Sequence, residues 1–290
     1  MGARIGIDLG GTKLAGVAVD GAGRVTAGPL ELPTGRQRPP AAILDDLAAL
    51  VGRLQSGAGE AEAVGIGIPS TLDASGAFVD CPNLPTMAGV RIREELESRL
   101  GRGIALDNDA NCFAWGEWRA GAGRGTRTLC GVTLGTGIGM GIVIGGRLHR
   151  GRGGSAGEIC YAPFREGRTV EDVVAGPAVA ARYRERTGAA VEAREVAARA
   201  RDGDPAAAAI WREFGEALGF GLCYAVNLLA PDAVVLGGSL AGARDLFEDA
   251  MKHLLQRHAY DYPSLRILPA ELGAVAGAVG AAFLDPADGA

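Results

Sequence analysis

Two glycine-rich turns hold the residues of this chain best suited to chemistry. The first reads Asp8-Leu9-Gly10-Gly11-Thr12-Lys13, and the second Thr133-Leu134-Gly135-Thr136-Gly137. They belong to longer copies: Leu9 to Val19 aligns without a gap on Leu134 to Ile144, 125 residues further on. A turn built of glycine keeps side chains away from a ligand and leaves backbone N–H groups to face it, which suits a phosphate. Asp8 beside such a turn is placed to hold a hydrated Mg²⁺ next to phosphate oxygens. Thr12 and Lys13 would add a hydroxyl and a positive charge on those phosphates. One copy alone is an ordinary hairpin whose Asp and Thr cap backbone groups. Two copies favour a duplicated grip on one polyphosphate.

Between the turns lies Asn108-Asp109-Ala110-Asn111, just after the apolar Ile104-Ala105-Leu106. Asn and Asp are favoured helix N-caps, and capping accounts for one of them. Three polar residues in a row exceed that need, and α/β sheets place ligands at the carboxyl ends of strands. Asp109 is therefore read as a general base, taking a proton from a hydroxyl that attacks a phosphoryl group. Ser70 opens a polar, turn-rich loop running to Thr86 that is expected to face a ligand. Glu158 and Glu171 are single acids for which a solvated surface is the default. His149, His253 and His258 have no spacing that suits a metal site or a triad, so histidine-based hydrolysis and zinc catalysis have little support.

The elements that must hold these residues follow from periodicity. Short apolar strands precede both turns (Ile5 to Ile7; Leu129 to Val132), and a third strand is predicted near Arg24 to Leu32. A helix is predicted over Ala41 to Leu54, a buried strand over Val64 to Ile68 ended by Pro69, and a helix over Arg91 to Leu100. Another helix should run from Asp107 to about Ala120. A largely helical stretch spans Val170 to Leu229, and the strand Ala233 to Leu236 runs into Gly237-Gly238-Ser239. The last segment, Gly273 to Phe283, reads as a helix of small residues. Strands then helices, in two successive rounds, predict two α/β domains with mixed sheets and flanking helices, and a site in the cleft between them. The expected division is residues 1–110 and 111–290, with the final helix, about 273–284, packing back on the first domain.

Composition narrows the classes. With 290 residues and 48% hydrophobic content the chain can bury a sizeable core. A net charge of −5 offers no electrostatic basis for nucleic acid binding. No apolar run reaches membrane-spanning length and no signal segment is expected ahead of the first strand. Five cysteines, an odd number without short spacing, read as reduced thiols and point to a cytoplasmic protein.

With these residues in view, the chain resembles the ROK family (repressors, open reading frames and sugar kinases) of the actin-like ATPase superfamily. The likeness rests on Asp8-Leu-Gly-Gly-Thr-Lys13, Gly67-Ile-Pro69, Pro82-Asn83-Leu84, Asn108-Asp-Ala-Asn111, Thr133-Leu-Gly-Thr-Gly-Ile-Gly139, Ala156-Gly-Glu158 and Leu236-Gly-Gly238. Each is weak alone; together, in the family's order, they are specific. The resemblance implies an actin-like, ribonuclease H-like fold of two domains closing over a sugar and ATP. It implies Asp109 as catalytic base and Asn83, Asn108, Glu158 and Glu171 as ligands of sugar hydroxyls, to which Ser70 of the polar loop is added as a substrate-binding candidate. Gly10, Gly11, Thr12 and Lys13, with Gly135, Thr136 and Gly137, would clamp the phosphates, and Gly237-Gly238 would lie against the adenosine end. The implied reaction moves the γ-phosphoryl of ATP to the 6-hydroxyl of a hexose, with Mg²⁺ offsetting charge. A homodimer is the family habit.

Two departures matter. The family continues Gly-Glu-x-Gly-His into a cysteine-rich zinc loop, whereas this chain reads Gly157-Glu158-Ile159-Cys160-Tyr161. Only nine residues separate Tyr161 from Glu171, none of them cysteine, so no structural zinc is expected. Tyr161 also replaces the histidine that touches sugar near C1 and C2, so that end of the pocket should differ; simple packing beneath Pro163 and Phe164 is the competing account. The open acceptors are glucose, an amino or N-acyl hexosamine, fructose, mannose and allose, and polyphosphate remains open as donor. A sugar-sensing regulator is the rival class. The seven residues before Asp8 leave no expected helix-turn-helix module, and Asp109 argues for catalysis.

Overall fold

The computed structural model describes residues 2–285 except 74 and 80. Each glycine turn joins two antiparallel or adjacent strands, as its flanking apolar residues require. The first lies between β1 (Ala3–Leu9) and β2 (Lys13–Val19), which pair from Arg4 with Val19 to Leu9 with Leu14. The second lies between β6 (Thr128–Leu134) and β7 (Ile138–Ile144).

The duplication extends from the turns to whole sheets. In the first sheet the order is β3 (Val25–Pro33), β2, β1, β4 (Ala61–Ile68) and β5 (Ala105–Asn108). In the second it is β8 (Arg147–Leu148), β7, β6, β9 (Ala233–Gly237) and β10 (Arg266–Pro269). Both sheets therefore run from a meander edge into parallel strands: β4 is parallel to β1 and β5 to β4, just as β9 is parallel to β6 and β10 to β9. Strands β8 and β10 are not among the elements expected from periodicity, because two and four residues are too short to show a period.

The chain forms two compact units. One comprises Met1–Gly125, Gly141–Ala156 and Ala270–Ala290; the other comprises Thr126–Met140 and Gly157–Pro269. In the first unit, α1 (Pro40–Ala58) buries Ile43, Leu44, Leu47, Leu50, Val51 and Leu54 at helical spacing. Each such side chain is worth about 1.5–3 kcal/mol over exposure. The other face of the first sheet is covered by α9 (Ala276–Ala282), which sits so close that only glycine fits beneath it. A Cβ on Gly6 would lie 1.8 Å from the Ala278 carbonyl oxygen, and one on Gly65 1.9 Å from that of Ala281. The small-residue composition of the last helix is thus a packing requirement. It begins at Ala276, after a single 3₁₀ turn over Gly273–Val275.

Helix α3 (Asp109–Ala120) runs alongside α9, and its far end is tied to the segment leading into that helix. Glu117, fully buried, accepts hydrogen bonds from the backbone N–H groups of Ala122 (2.8 Å), Glu271 (3.1 Å) and Leu272 (2.9 Å). In the second unit the helices are α4 (Glu171–Val174), α5 (Gly176–Thr187), α6 (Ala193–Arg201), α7 (Pro205–Leu229) and α8 (Arg244–His258). Asp204 caps α7 by accepting from Ala206 and Ala207 N–H, with Pro205 in the first position. Trp211 and Phe214 of α7 stack with Phe247 of α8 to fill that unit's centre. No helix among the described residues is long and apolar enough to cross a membrane.

Candidate active site

In the first unit the predicted residues gather at the carboxyl ends of β1, β4 and β5. The turn after β1 closes with Gly10 N–H donating to the Lys13 carbonyl at 2.9 Å. Buried Thr34, which the sequence did not single out, braces it. Its hydroxyl donates to the Gly10 carbonyl at 2.7 Å and its N–H to that of Thr12 at 2.9 Å. Asn83 lies against the same turn, since a Cβ on Gly11 would come within 2.7 Å of the Asn83 carbonyl. Ser70, buried, stands just beyond β4 and donates to the Thr71 carbonyl at 3.0 Å. Lys13, expected on the phosphates, is engaged by Glu31 of the neighbouring strand.

Asp8 is the member least at ease in its surroundings. Burial pushes its carboxyl up to about 6, against the pull of the Lys13 charge. One carboxylate at a glycine turn fits an ion that keeps most of its own waters, as Mg²⁺ does. Among the described residues no group of three or more His, Cys, Asp or Glu is gathered for a metal.

At the strand-to-helix junction the two expected roles are divided between neighbours. Asn108 caps α3, its Oδ1 accepting from Ala110 N–H at 2.9 Å. Asp109 is the first helical residue and shares that same N–H at 2.8 Å. Asp107, whose side chain is only 6% exposed, is central, and no local sequence pattern marks it. Its Oδ1 accepts from Asn108 N–H and from Asn111 Nδ2, each at 2.8 Å, while Oδ2 takes Arg150 Nε at 2.6 Å. Three acids converge here: burial and then the charges of Asp107, Asp8 and Asp109 hold the Cys112 thiol well above its usual range, and Arg150 opposes them.

Arg150 also anchors the glycine-rich run 145–157, in which Gly145, Gly146, Gly151, Gly153, Gly154 and Gly157 all take positive φ. An Arg150→Met chain leaves the Asp107 carboxylate buried without its counter-ion. A loss of about 2–4 kcal/mol in urea unfolding is expected, with Asp107→Asn in the same chain recovering much of it. No recovery in the double variant would mean that Arg150 matters by packing alone.

In the second unit, the turn after β6 is held by Gly135 N–H to the Gly137 carbonyl (2.9 Å) and Gly176 N–H to the Gly135 carbonyl (2.8 Å). Glu171, expected on a sugar hydroxyl, spends one oxygen on this turn: Oε2 accepts from Ile138 N–H at 3.0 Å. A Cβ on Gly137 would lie 2.5 Å from that oxygen, so a larger residue there would displace the Glu171 carboxylate from the turn. The turn opens on a pocket of about 600 Å³ with apolar walls that include Pro177, Ala180, Ala193, Ala197 and Leu240, and with Glu192, Arg194, Arg201 and Ser239 among its polar groups. Its size and its apolar walls with a few polar groups suit a nucleoside. Gly238, at φ +88°, makes the tight turn that delivers Ser239 and Leu240 to the pocket; a Cβ there would lie 2.3 Å from the Leu134 carbonyl. Gly237 ends β9 just before it.

Glu158 accepts from the Cys160 thiol at 3.2 Å, and burial followed by the Glu158 carboxylate pushes that thiol up to about 12. Tyr161 is 75% exposed, which removes the account of it as a packing residue. Phe164 instead stacks edge-on with Phe220 at 5.5 Å.

Comparison with known proteins gives the family. The ROK family pattern matches residues 4–287. The chain is 32% identical over 314 residues to the glucokinase of Streptomyces coelicolor, covering 98% of each. It is 30% identical over 303 residues to the N-acetyl-D-glucosamine kinase of Vibrio cholerae, covering 97% of this chain and 98% of that one. The structure of a ROK family glucokinase from Streptomyces griseus in complex with glucose and AMPPNP superposes with a TM-score of 0.82 at 32% identity, over 97% and 98% of the two chains. The expected actin-like α/β fold is therefore found, and the chain belongs to the ROK family.

Proposed function

We propose that this chain is an ATP-dependent sugar kinase that moves the γ-phosphoryl group to the 6-hydroxyl of a hexose or hexose derivative. The observation that carries the reading is Asp109 at the start of α3, its backbone lying against Gly67, the β4 residue that pairs with Asp8 of β1. Asp109 takes the proton of the attacking hydroxyl. Asn83, Asn108, Glu158, Glu171 and Tyr161 are the candidate ligands of the sugar hydroxyls. The glycine turns offer N–H groups to the phosphates, and the 600 Å³ pocket takes the adenosine. Mg²⁺, when bound, offsets phosphate charge, with Asp8 holding it through water. A cytoplasmic homodimer completes the reading.

The exposed Tyr161 favours a second acceptor class. A phenol reaching into solvent can donate to an amino or N-acyl substituent at C2, as the N-acetyl-D-glucosamine kinase relatives invite. A coupled assay across glucose, N-acetylglucosamine, glucosamine, mannose, fructose and allose, each with ATP and with polyphosphate, tests both. Turnover of at least one hexose with ATP is expected. Turnover with none of them removes the kinase reading, and a strong preference for polyphosphate replaces the donor.

A further inference from the structure

The segment between Tyr161 and Glu171 is tethered far more heavily than a nine-residue surface connection needs. Pro163 and Thr169 form an antiparallel bridge, supported by Phe164 N–H donating to the Arg168 carbonyl (2.6 Å) and Val170 N–H to that of Ala162 (2.9 Å). Thr169 N–H and hydroxyl both donate to the Asp172 carboxylate, at 2.7 and 2.9 Å, which fixes the start of α4 and hence Glu171. The small hairpin so formed sets the distance from Tyr161 to Glu171.

Its tip is fastened to α7. Arg165 reaches Glu216 at 3.0 Å, and Arg168 reaches Glu213 at 3.1 Å. Glu213 also takes Arg182 and Arg186 (3.3 Å) from α5. Three guanidinium groups thus converge on one carboxylate, and Arg182 is only 9% exposed. Arg168 Nε and Arg182 Nη1 are buried with no partner among the described residues. Without Glu213 three like charges would face one another in a partly buried place. Among the described residues Arg168 would keep only its 3.6 Å pair with the exposed Glu166, on the hairpin itself, so the hairpin would lose this tie to α7.

We propose that Glu213 is a positioning residue for the sugar: through Arg168 it holds the 162–170 hairpin and so sets where Tyr161 and Glu171 meet the acceptor. The proposal rests on the kinase reading for its acceptor role. The second glycine turn has independent supports in the Gly135–Gly137 and Gly135–Gly176 hydrogen bonds, so the donor side is affected less.

The test uses the full chain with Arg168→Gln, Arg168→Lys and Glu213→Gln, and Arg99→Gln as a control that breaks the exposed pairs with Asp45 and Glu95. Hydrogen exchange of the Phe164 and Val170 amides should quicken about tenfold in Arg168→Gln and Glu213→Gln. The KM for the acceptor should rise about tenfold in both while the KM for ATP stays within about threefold. Arg168→Lys should recover part of both effects, and Arg99→Gln should show neither. If Glu213→Gln does not fold, Arg168→Gln alone decides. Unchanged exchange, or faster exchange with an unchanged acceptor KM, in a chain whose native form phosphorylates sugar overturns the proposal. A native chain that phosphorylates no sugar overturns the kinase reading and the acceptor role with it, while the exchange measurement still reads the tether.

Discussion

An Asp109→Asn chain is expected to bind its sugar nearly as tightly as the native chain and to transfer phosphoryl roughly 10²–10⁴-fold more slowly. The substitution keeps the shape of the side chain and removes its ability to take a proton. Helix α3 should survive it, because Asn108 supplies the cap through its own bond to Ala110 N–H. What is lost locally is the interaction of a carboxylate with the first turn of the helix, worth about 0.3–1 kcal/mol. Initial-rate measurements paired with calorimetric sugar titration check the prediction. Turnover within about threefold of native would remove Asp109 as the base, and loss of sugar binding would make it a ligand instead.

An Asp8→Asn chain should lose phosphoryl transfer as well, yet be more stable than the native chain at neutral pH. Burial raises the Asp8 carboxyl from 3.8 to about 6, so the folded chain holds this proton more tightly than the unfolded one. Native stability from this group is fully present below pH 3.8 and is lost as pH rises to about 6. Above that, the ionised carboxylate costs at most about 3 kcal/mol, at 1.36 kcal/mol for each pKa unit. The amide of the Asp8→Asn chain carries no such charge. Urea unfolding with a chelator present should therefore show the two chains alike near pH 4 and the variant ahead by up to about 3 kcal/mol at about pH 7.5. A gap of the same size at both pH values would show that packing against Gly277, not ionisation, sets the difference. The destabilised acid is what a cation-assisted site would require: charge kept where the fold alone would not choose it.

The glycine turns, their flanking strands, the cap before α3 and the candidate base were legible because each is written in a few consecutive residues. Gly10-Gly11 and Gly135-Thr136-Gly137 interrupt strand periodicity, and Asn108-Asp109 stands where a strand gives way to a helix. The small-residue run at the carboxyl end was legible as a helix. Why it must be small was not, since the reason lies in Gly6 and Gly65, far away in the chain.

The role of Glu171 divides along the same line. Its resemblance to a sugar ligand is local, whereas its hydrogen bond to Ile138 N–H joins residues 33 apart. Lys13 is the converse case: its cation beside the phosphate turn is legible locally, whereas its exposed pair with Glu31 depends on β3 lying alongside β2.

The sequence by itself determined the duplicated turns, the α/β class, the family and Asp109 as candidate base, because turn chemistry, periodicity and capping act over a few residues. Only the tertiary structure decided which charges meet. Asp107 finds Arg150 across 43 residues and Glu213 finds Arg168 across 45. Such pairs depend on sheet register and on how helices lie over the sheet, and no short window of sequence carries either.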